Sequence, residues 1–243
     1  MKLYSQSDIG LIRNSNQDYC LTGYFSDGAA WAIVCDGMGG ANGGSTASHV
    51  ATESIAETLT TGYREDMTGH EICDLMKLAV DCANKAVYEM SVHVAGLEGM
   101  GTTVVCVVAK DDRLHVVHAG DSRAYLFAGD SIRQITTDHS IVQELVTAGQ
   151  LTREEARTHP NRNLITRALG TEPKLMTDYN TVEFKDGAKV IVCTDGMSNY
   201  ITDESLLDFI RSNDCEKLTE KLIEKAKELG GSDNITVAII SSS

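Results

Sequence analysis

Proline, aromatic residues and basic charge are all scarce in this chain: two prolines and one tryptophan in 243 residues, 5% aromatics, and 21 Lys and Arg against 35 Asp and Glu. So few prolines leave no proline-rich linker, and no Gly/Ser-rich tract, low-complexity segment or internal repeat divides the sequence, so one domain over residues 1–243 is expected. The amino terminus MKLYSQSDIG lacks the apolar run of a signal peptide, and no stretch approaches the ~18 apolar residues of a membrane span. A soluble, cytoplasmic, monomeric protein is expected. The formal charge of −14 excludes the clustered lysine and arginine that nucleic acid or an anionic membrane requires. The seven cysteines (Cys20, Cys35, Cys73, Cys82, Cys106, Cys193 and Cys215) are odd in number and form no CxxC pair. That pattern excludes a disulfide frame or a zinc site and reads as small apolar residues in a reducing compartment.

What is present is apolar patterning: 42% hydrophobic residues, ample for a sizeable core. Period-two and continuous apolar runs predict strands near 2–8, 19–25, 30–35, 102–109, 113–119, 122–128, 188–194 and 234–241. Helical spacing predicts helices over 44–61 and over 69–94, where Ile72, Leu75, Met76, Ala79, Val80, Ala83 and Val87 share a face. Asp138 can cap a helix containing Ile141, Val142, Leu145 and Val146; Thr152 with Glu155 makes a capping-box pattern; Asn213 with Glu216 opens a helix that ends at Gly230-Gly231. Strands in runs with helices inserted in pairs predict an α+β protein in which mostly antiparallel sheets pack together under helices.

Three apolar strands deliver an aspartate beside a glycine: AIVC into Asp36-Gly37, VVHA into Gly120-Asp121, and VIVCT into Asp195-Gly196. A fourth aspartate, Asp233, stands just before NITVAII. One Asp-Gly pair is ordinarily a turn, but a turn needs no long buried strand leading into it. A metal site does need carboxylates on rigid elements and glycines that admit close backbone approach. Two carboxylates about 4 Å apart repel by roughly 4 kcal/mol at an effective dielectric near 20, so several can share a pocket only with cations. All-oxygen donors, including a backbone carbonyl from Gly37, select hard ions such as Mg²⁺ or Mn²⁺. Asp36 is the candidate to bridge two ions, because its glycine neighbours permit the closest approach. Gly37-Met38-Gly39-Gly40 is not a nucleotide cradle: counting G-x-G-x-x-G from Gly37 lands on Asn42, and no GK[ST] occurs. Arg13 is either a solvated surface residue or a bidentate grip on phosphate, and placement decides.

Taken in order, R-x-x-N-x-D from Arg13 to Asp18, DGMGG from Asp36, MGTT at 100–103, GDSR at 120–123, TDHS at 137–140, DGMS at 195–198 and SDNIT at 232–236 resemble the PPM/PP2C family of metal-dependent protein serine/threonine phosphatases. The compact length and the segment LITRALG at 164–170 are similar to the bacterial branch. The resemblance implies an αββα sandwich of two antiparallel sheets flanked by helix pairs, with a metal centre at one end. It implies two Mn²⁺ or Mg²⁺ ions, with Asp36 bridging, the Gly37 carbonyl on one ion, and Asp195 and Asp233 on the other. Asp121 with Asp195 matches a weaker third site, Arg13 matches the phosphate-binding arginine, and Asp18 would hydrogen-bond metal-bound water. Gln17 departs from the glutamate of many members, Ala41 and Gly44 from a histidine and a glutamate, and Met38 from the histidine general acid of animal relatives; no direct ligand is lost.

The implied reaction is hydrolysis of phosphoserine and phosphothreonine in proteins by in-line attack of a metal-bridging hydroxide, with no protein nucleophile, opposing a serine/threonine kinase. Gly149 to Arg167 matches a flap beside the cleft, and its Arg153, Arg157, His159, Arg162 and Arg167 either pair locally with Glu154 and Glu155 or meet phosphopeptide. His139 in TDHS is more readily structural than catalytic. Two rivals stand beside this reading: a pseudophosphatase that binds phosphoprotein without turnover, and a phosphatase of small molecules.

Overall fold

The computed structural model describes residues 1–40 and 43–242; Ala41 and Asn42 lie outside the described residues. In chain order the elements are β1 (Lys2–Asp8), β2 (Asp18–Tyr24), β3 (Ala30–Met38), α1 (Gly43–Gly62), α2 (Gly69–His93), β4 (Gly101–Thr102), β5 (Val104–Lys110), β6 (Arg113–Ala119), β7 (Arg123–Ala128), β8 (Ser131–Gln134), α3 (Ile141–Thr147), α4 (Arg153–Thr158), β9 (Asp178–Glu183), β10 (Lys189–Cys193), α5 (Asp195–Ser198), α6 (Asp203–Ser212), α7 (Cys215–Glu228) and β11 (Ile235–Ser241). One sheet runs β1-β11-β10-β7-β8 and the other β2-β3-β5-β6-β9, with short β4 against the end of β3. Every strand pairing is antiparallel.

Period-two side-chain alternation makes four layers of this topology. Along β3, Ala30, Ala32 and Val34 face the other sheet, while Trp31, Ile33 and Cys35 face α1 and α2. Along β11, Ala238 and Ile240 point between the sheets, and Ile235, Val237 and Ile239 point at the α6 and α7 side chains Leu206, Leu218 and Leu222. Both faces of the central strands are therefore buried, which is why they read as continuous apolar runs. The α+β sandwich expected from the sequence is the architecture found. Among the described residues, no helix is long and apolar enough to cross a membrane.

The departures from expectation are local. Edge strands β8 and β9 escaped detection because half-exposed, polar stretches such as SIRQ and DYNTVE carry little apolar alternation. Asp138 does not cap α3. Ser140 does, because the Asp138 carboxylate accepts from the Arg123 guanidinium at 2.7 Å and from Gln134. Asn213 closes α6 instead of opening α7, which starts after Asp214. The capping box of Thr152 and Glu155 is formed as expected. Cys35, Cys73, Cys106 and Cys193 are buried, but Cys82 is exposed.

Two strand ends are pinned by backbone approaches that exclude a side chain. A Cβ on Gly37 would lie 2.0 Å from the Gly44 carbonyl oxygen, and one on Gly196 would lie 1.9 Å from that of Asn234. The second contact seats α5, which follows β10, against the residue just before β11. Gly196→Ala is expected to cost about 3 kcal/mol through forced backbone displacement. Chemical denaturation of the metal-free protein checks this, and an unchanged midpoint would contradict it.

Candidate metal centre

Antiparallel pairing brings the carboxylates to one end of the sandwich. Asp18 opens β2 directly opposite Asp36 near the end of β3. Asp121 follows β6, Asp195 follows β10 and opens α5, and Asp233 sits just ahead of β11. Asp36, Gly37, Asp121, Asp195 and Asp233 all line one cleft of about 370 Å³, together with Arg13, Gln17, Met38, Asn163 and Ile165. Asp18 lies behind the wall, 6% exposed. The sequence-predicted site residues are thus brought together, with Asp18 one layer back.

The supporting contacts make the arrangement rigid. The Asp36 N–H donates to Thr103 Oγ1 at 2.9 Å, and its carbonyl accepts from Thr102 Oγ1 and the Thr103 N–H. Thr194 Oγ1 and Thr236 Oγ1, from the other sheet, donate to Asp18 Oδ2 at 2.9 and 2.7 Å, which ties the two sheets together beneath the cleft. The Asn234 amide spans the loop before β2. Its nitrogen donates to the Ile9 and Ser15 carbonyls, and its oxygen accepts from the Gln17 N–H. Sequence reasoning gave no role to Thr103, Thr194, Thr236 or Asn234, although each lies in or beside a motif that was noted.

Arg13 sits at the mouth, with its side chain 52% exposed, and donates from Nη2 to Asp233 Oδ2 at 2.6 Å. This pairing raises its pKa further and leaves the guanidinium charged at the rim of the cleft. Gln17 Nε2 donates to the Gly40 carbonyl, so the residue standing in place of a glutamate braces the glycine turn.

Electrostatics give the fit test for a cation. Burial first, then the charges of Asp18, Asp195, Asp121 and Asp233, pushes the Asp36 carboxyl well above the usual range. Burial, reinforced by Asp195, takes Asp121 up to about 8. Asp18 rises to about 7 through burial, against the pull of its two threonine hydrogen bonds, and Asp195 rises to about 6 through burial and Asp233. Each of these shifts is the response of a carboxylate that would ionise readily if positive charge were supplied. Asp18 Oδ1 and Asp195 Oδ1 are also buried with no hydrogen-bond partner among the described residues, and buried oxygens of this kind call for a partner. Among the described residues no histidine or cysteine lines the cleft, and its candidate ligands are carboxylate and carbonyl oxygens. This donor set fits Mn²⁺ or Mg²⁺.

Comparison with known proteins agrees with this geometry. A family model described as protein phosphatase 2C matches residues 13–229. The serine/threonine phosphatase stp of Listeria welshimeri is 34% identical over 240 residues, covering 97% of this chain and 93% of that protein. The serine/threonine phosphatase PstP/Ppp of Mycobacterium tuberculosis superimposes with a TM-score of 0.88 at 34% identity, covering 98% of this chain and 97% of that one. A structure of the PstP catalytic domain in complex with two manganese ions superimposes with a TM-score of 0.85 at 33% identity, covering 98% and 96%.

The raised carboxyl pKa values set a pH dependence for the metal-free fold. Because the folded values lie above the ordinary 3.8, the folded state binds protons more tightly than the unfolded chain. The stability they contribute is complete below about pH 4 and is lost as pH rises through 6 to 8. Metal-free protein is therefore expected to melt at a lower temperature at about pH 8 than at about pH 5.5, with Mn²⁺ restoring more at the higher pH. Scanning calorimetry at both values, with and without Mn²⁺, checks this; a metal effect independent of pH would contradict it.

Proposed function

The chain belongs to the protein phosphatase 2C family, and on that premise we propose that its cleft removes phosphate from phosphoserine and phosphothreonine in other proteins. It is a metal-dependent serine/threonine phosphoprotein phosphatase. The observation that carries the reading is the crowding of Asp36, Asp121, Asp195 and Asp233 in one cleft with Arg13 at its mouth. That is a site for cations facing a dianion, and it reconciles phosphate chemistry with a chain of charge −14.

In this reading Asp36, the Gly37 carbonyl, Asp195 and Asp233 would hold a pair of Mn²⁺ or Mg²⁺ ions, and Asp121 with Asp195 would hold a weaker third. When bound, the ion pair lowers the pKa of coordinated water and neutralises phosphoryl charge. The chain's residues supply the rest. Arg13 exchanges its contact with Asp233 for the non-reacting phosphoryl oxygens and holds the ester in line. Asp18, clamped by Thr194 and Thr236, keeps a buried acceptor behind Asp36 that orients water. Met38 has no titratable proton, so the departing alkoxide is protonated by water. The Gly37–Gly44 approach leaves no room for a side chain at Gly37, so bare backbone forms the cleft wall there.

In the same reading the protein acts as a monomer in the cytoplasm on phosphorylated proteins, a serine/threonine kinase and its substrates among them. Arg162 is exposed, next to the cleft-lining Asn163. Glu155 is engaged in capping Thr152, and Arg167 pairs with Asp178. Arg153 and Arg157 lie on α4, whereas Arg162 adjoins the cleft wall at Asn163, so Arg162 is the flap arginine we assign to phosphopeptide.

With Mn²⁺ present, turnover of a phosphothreonine peptide well above that of sugar phosphates is expected, with Asp36→Asn reducing kcat at least about a hundredfold. A wild-type protein no faster than Asp36→Asn would instead identify a phosphoprotein binder. Preference for sugar phosphates would identify a small-molecule phosphatase. Arg162→Ala should raise KM for phosphopeptide several-fold while leaving KM for p-nitrophenyl phosphate unchanged. Steady-state kinetics on both substrates checks this, and equal effects would reject the flap contact.

A further inference from the structure

The segment Thr137–Ile141 lies outside the cleft lining but bonds to residues beside two parts of it. The His139 side chain is 6% exposed, and it is bonded twice to one glycine. Its N–H donates to the Gly120 carbonyl at 2.9 Å, and the Gly120 N–H donates back to His139 Nδ1 at 3.1 Å. Gly120 immediately precedes Asp121. On the other side, the Thr166 N–H donates to the His139 carbonyl, the Ile141 N–H donates to the Leu164 carbonyl, and Ser140 bridges to Ile165. One short stretch therefore holds both the turn that carries Asp121 and the cleft wall formed by Asn163 and Ile165.

The imidazole's other nitrogen fixes its tautomer. With Nδ1 accepting from Gly120, the proton sits on Nε2, where Asp178 Oδ2 lies 3.3 Å away. Arg167 donates to the other Asp178 oxygen at 2.8 Å. His118 stacks on the His139 ring at 4.8 Å, nearly parallel, and its Nε2 donates to the Thr137 carbonyl at 2.9 Å. Atoms of His118, His139 and Asp178 lie within 4.8 Å of one another, a spacing that a transition ion could bridge. Two observations oppose such an ion. Arg167 Nη1 lies 3.1 Å from His139 Nε2 and already supplies positive charge there. Ligation through Nε2 would also move the proton to Nδ1, against the Gly120 N–H.

We propose that His139, oriented by Asp178, is a positioning residue that fixes the Gly120–Asp121 turn and locks it to the Asn163–Ile165 wall. Its effect on turnover rests on the reading of Asp121 as a metal ligand; its effect on Gly120 does not. Two amide replacements separate the ring's two nitrogens. Asparagine can place its oxygen near Nδ1 and keep the Gly120 bond, whereas glutamine reaches toward Nε2 and loses it. In His139→Gln, amide exchange at Gly120 should accelerate about tenfold. The Mn²⁺ concentration giving half-maximal kcat should rise by a similar factor, with KM for phosphothreonine peptide unchanged. His139→Asn should restore both quantities. Unaltered Gly120 exchange in His139→Gln, or equal damage in the two variants, would overturn the proposal. Should His139→Gln fail to fold, Asp178→Ala, at a part-exposed side chain, decides the same point: faster Gly120 exchange supports the brace and unchanged exchange rejects it. A wild-type protein without turnover would defeat the phosphatase reading while leaving the Gly120 measurement to judge His139.

Discussion

Mutual repulsion among aspartates gathered at one end of two packed sheets is the constraint around which this molecule is organised. Burial, reinforced by neighbouring carboxylates, raises the Asp121 carboxyl to about 8 and the Asp18 carboxyl to about 7. Hydrophobic burial holds these groups together. Three apolar layers, one between the sheets and one beneath each helical face, make the strand ends immovable, so the charges cannot relax by moving apart. Protons relieve the strain at low pH; at higher pH cations do so, and relief by cations is what the catalytic reading uses.

The polar scaffolding around the cleft follows from the same constraint. Thr194 and Thr236 reach from one sheet to the Asp18 carboxylate on the other, so the cleft is built across the interface and not on either sheet alone. Asn234 secures the loop that carries Arg13, and Thr103 secures the backbone of Asp36. Arg13 rests on Asp233, which stores a charged donor at the mouth where a phosphate would arrive. Two nearby arginines divide in a similar way, Arg167 serving the fold through Asp178 and Arg162 standing exposed.

Much of this was legible in the sequence because long buried strands ending in Asp-Gly are a costly pattern that a simple turn does not need. Asp36, Asp121 and Asp195 stood out for that reason, and Asp233 through its place before a buried strand. The supporting threonines did not stand out, since a threonine at a strand end is an ordinary β residue until its neighbour across the sheet interface is known. Asp138 was misread because aspartate suits a helix cap as well as an ion pair, and only the position of Arg123 on the adjacent strand distinguishes them. Strands β8 and β9 were invisible to an apolar pattern because edge strands bury little. Asp18 entered through family resemblance; in the fold it is buried behind Asp36 with one oxygen unpartnered.

Anomalous scattering from manganese-soaked crystals tests the central claim most directly. Two strong peaks within coordination distance of Asp36 are predicted, one shared with Gly37 and the other with Asp195 and Asp233, with any third, weaker peak at Asp121. A cleft without anomalous density, or manganese held only elsewhere on the surface, would contradict it.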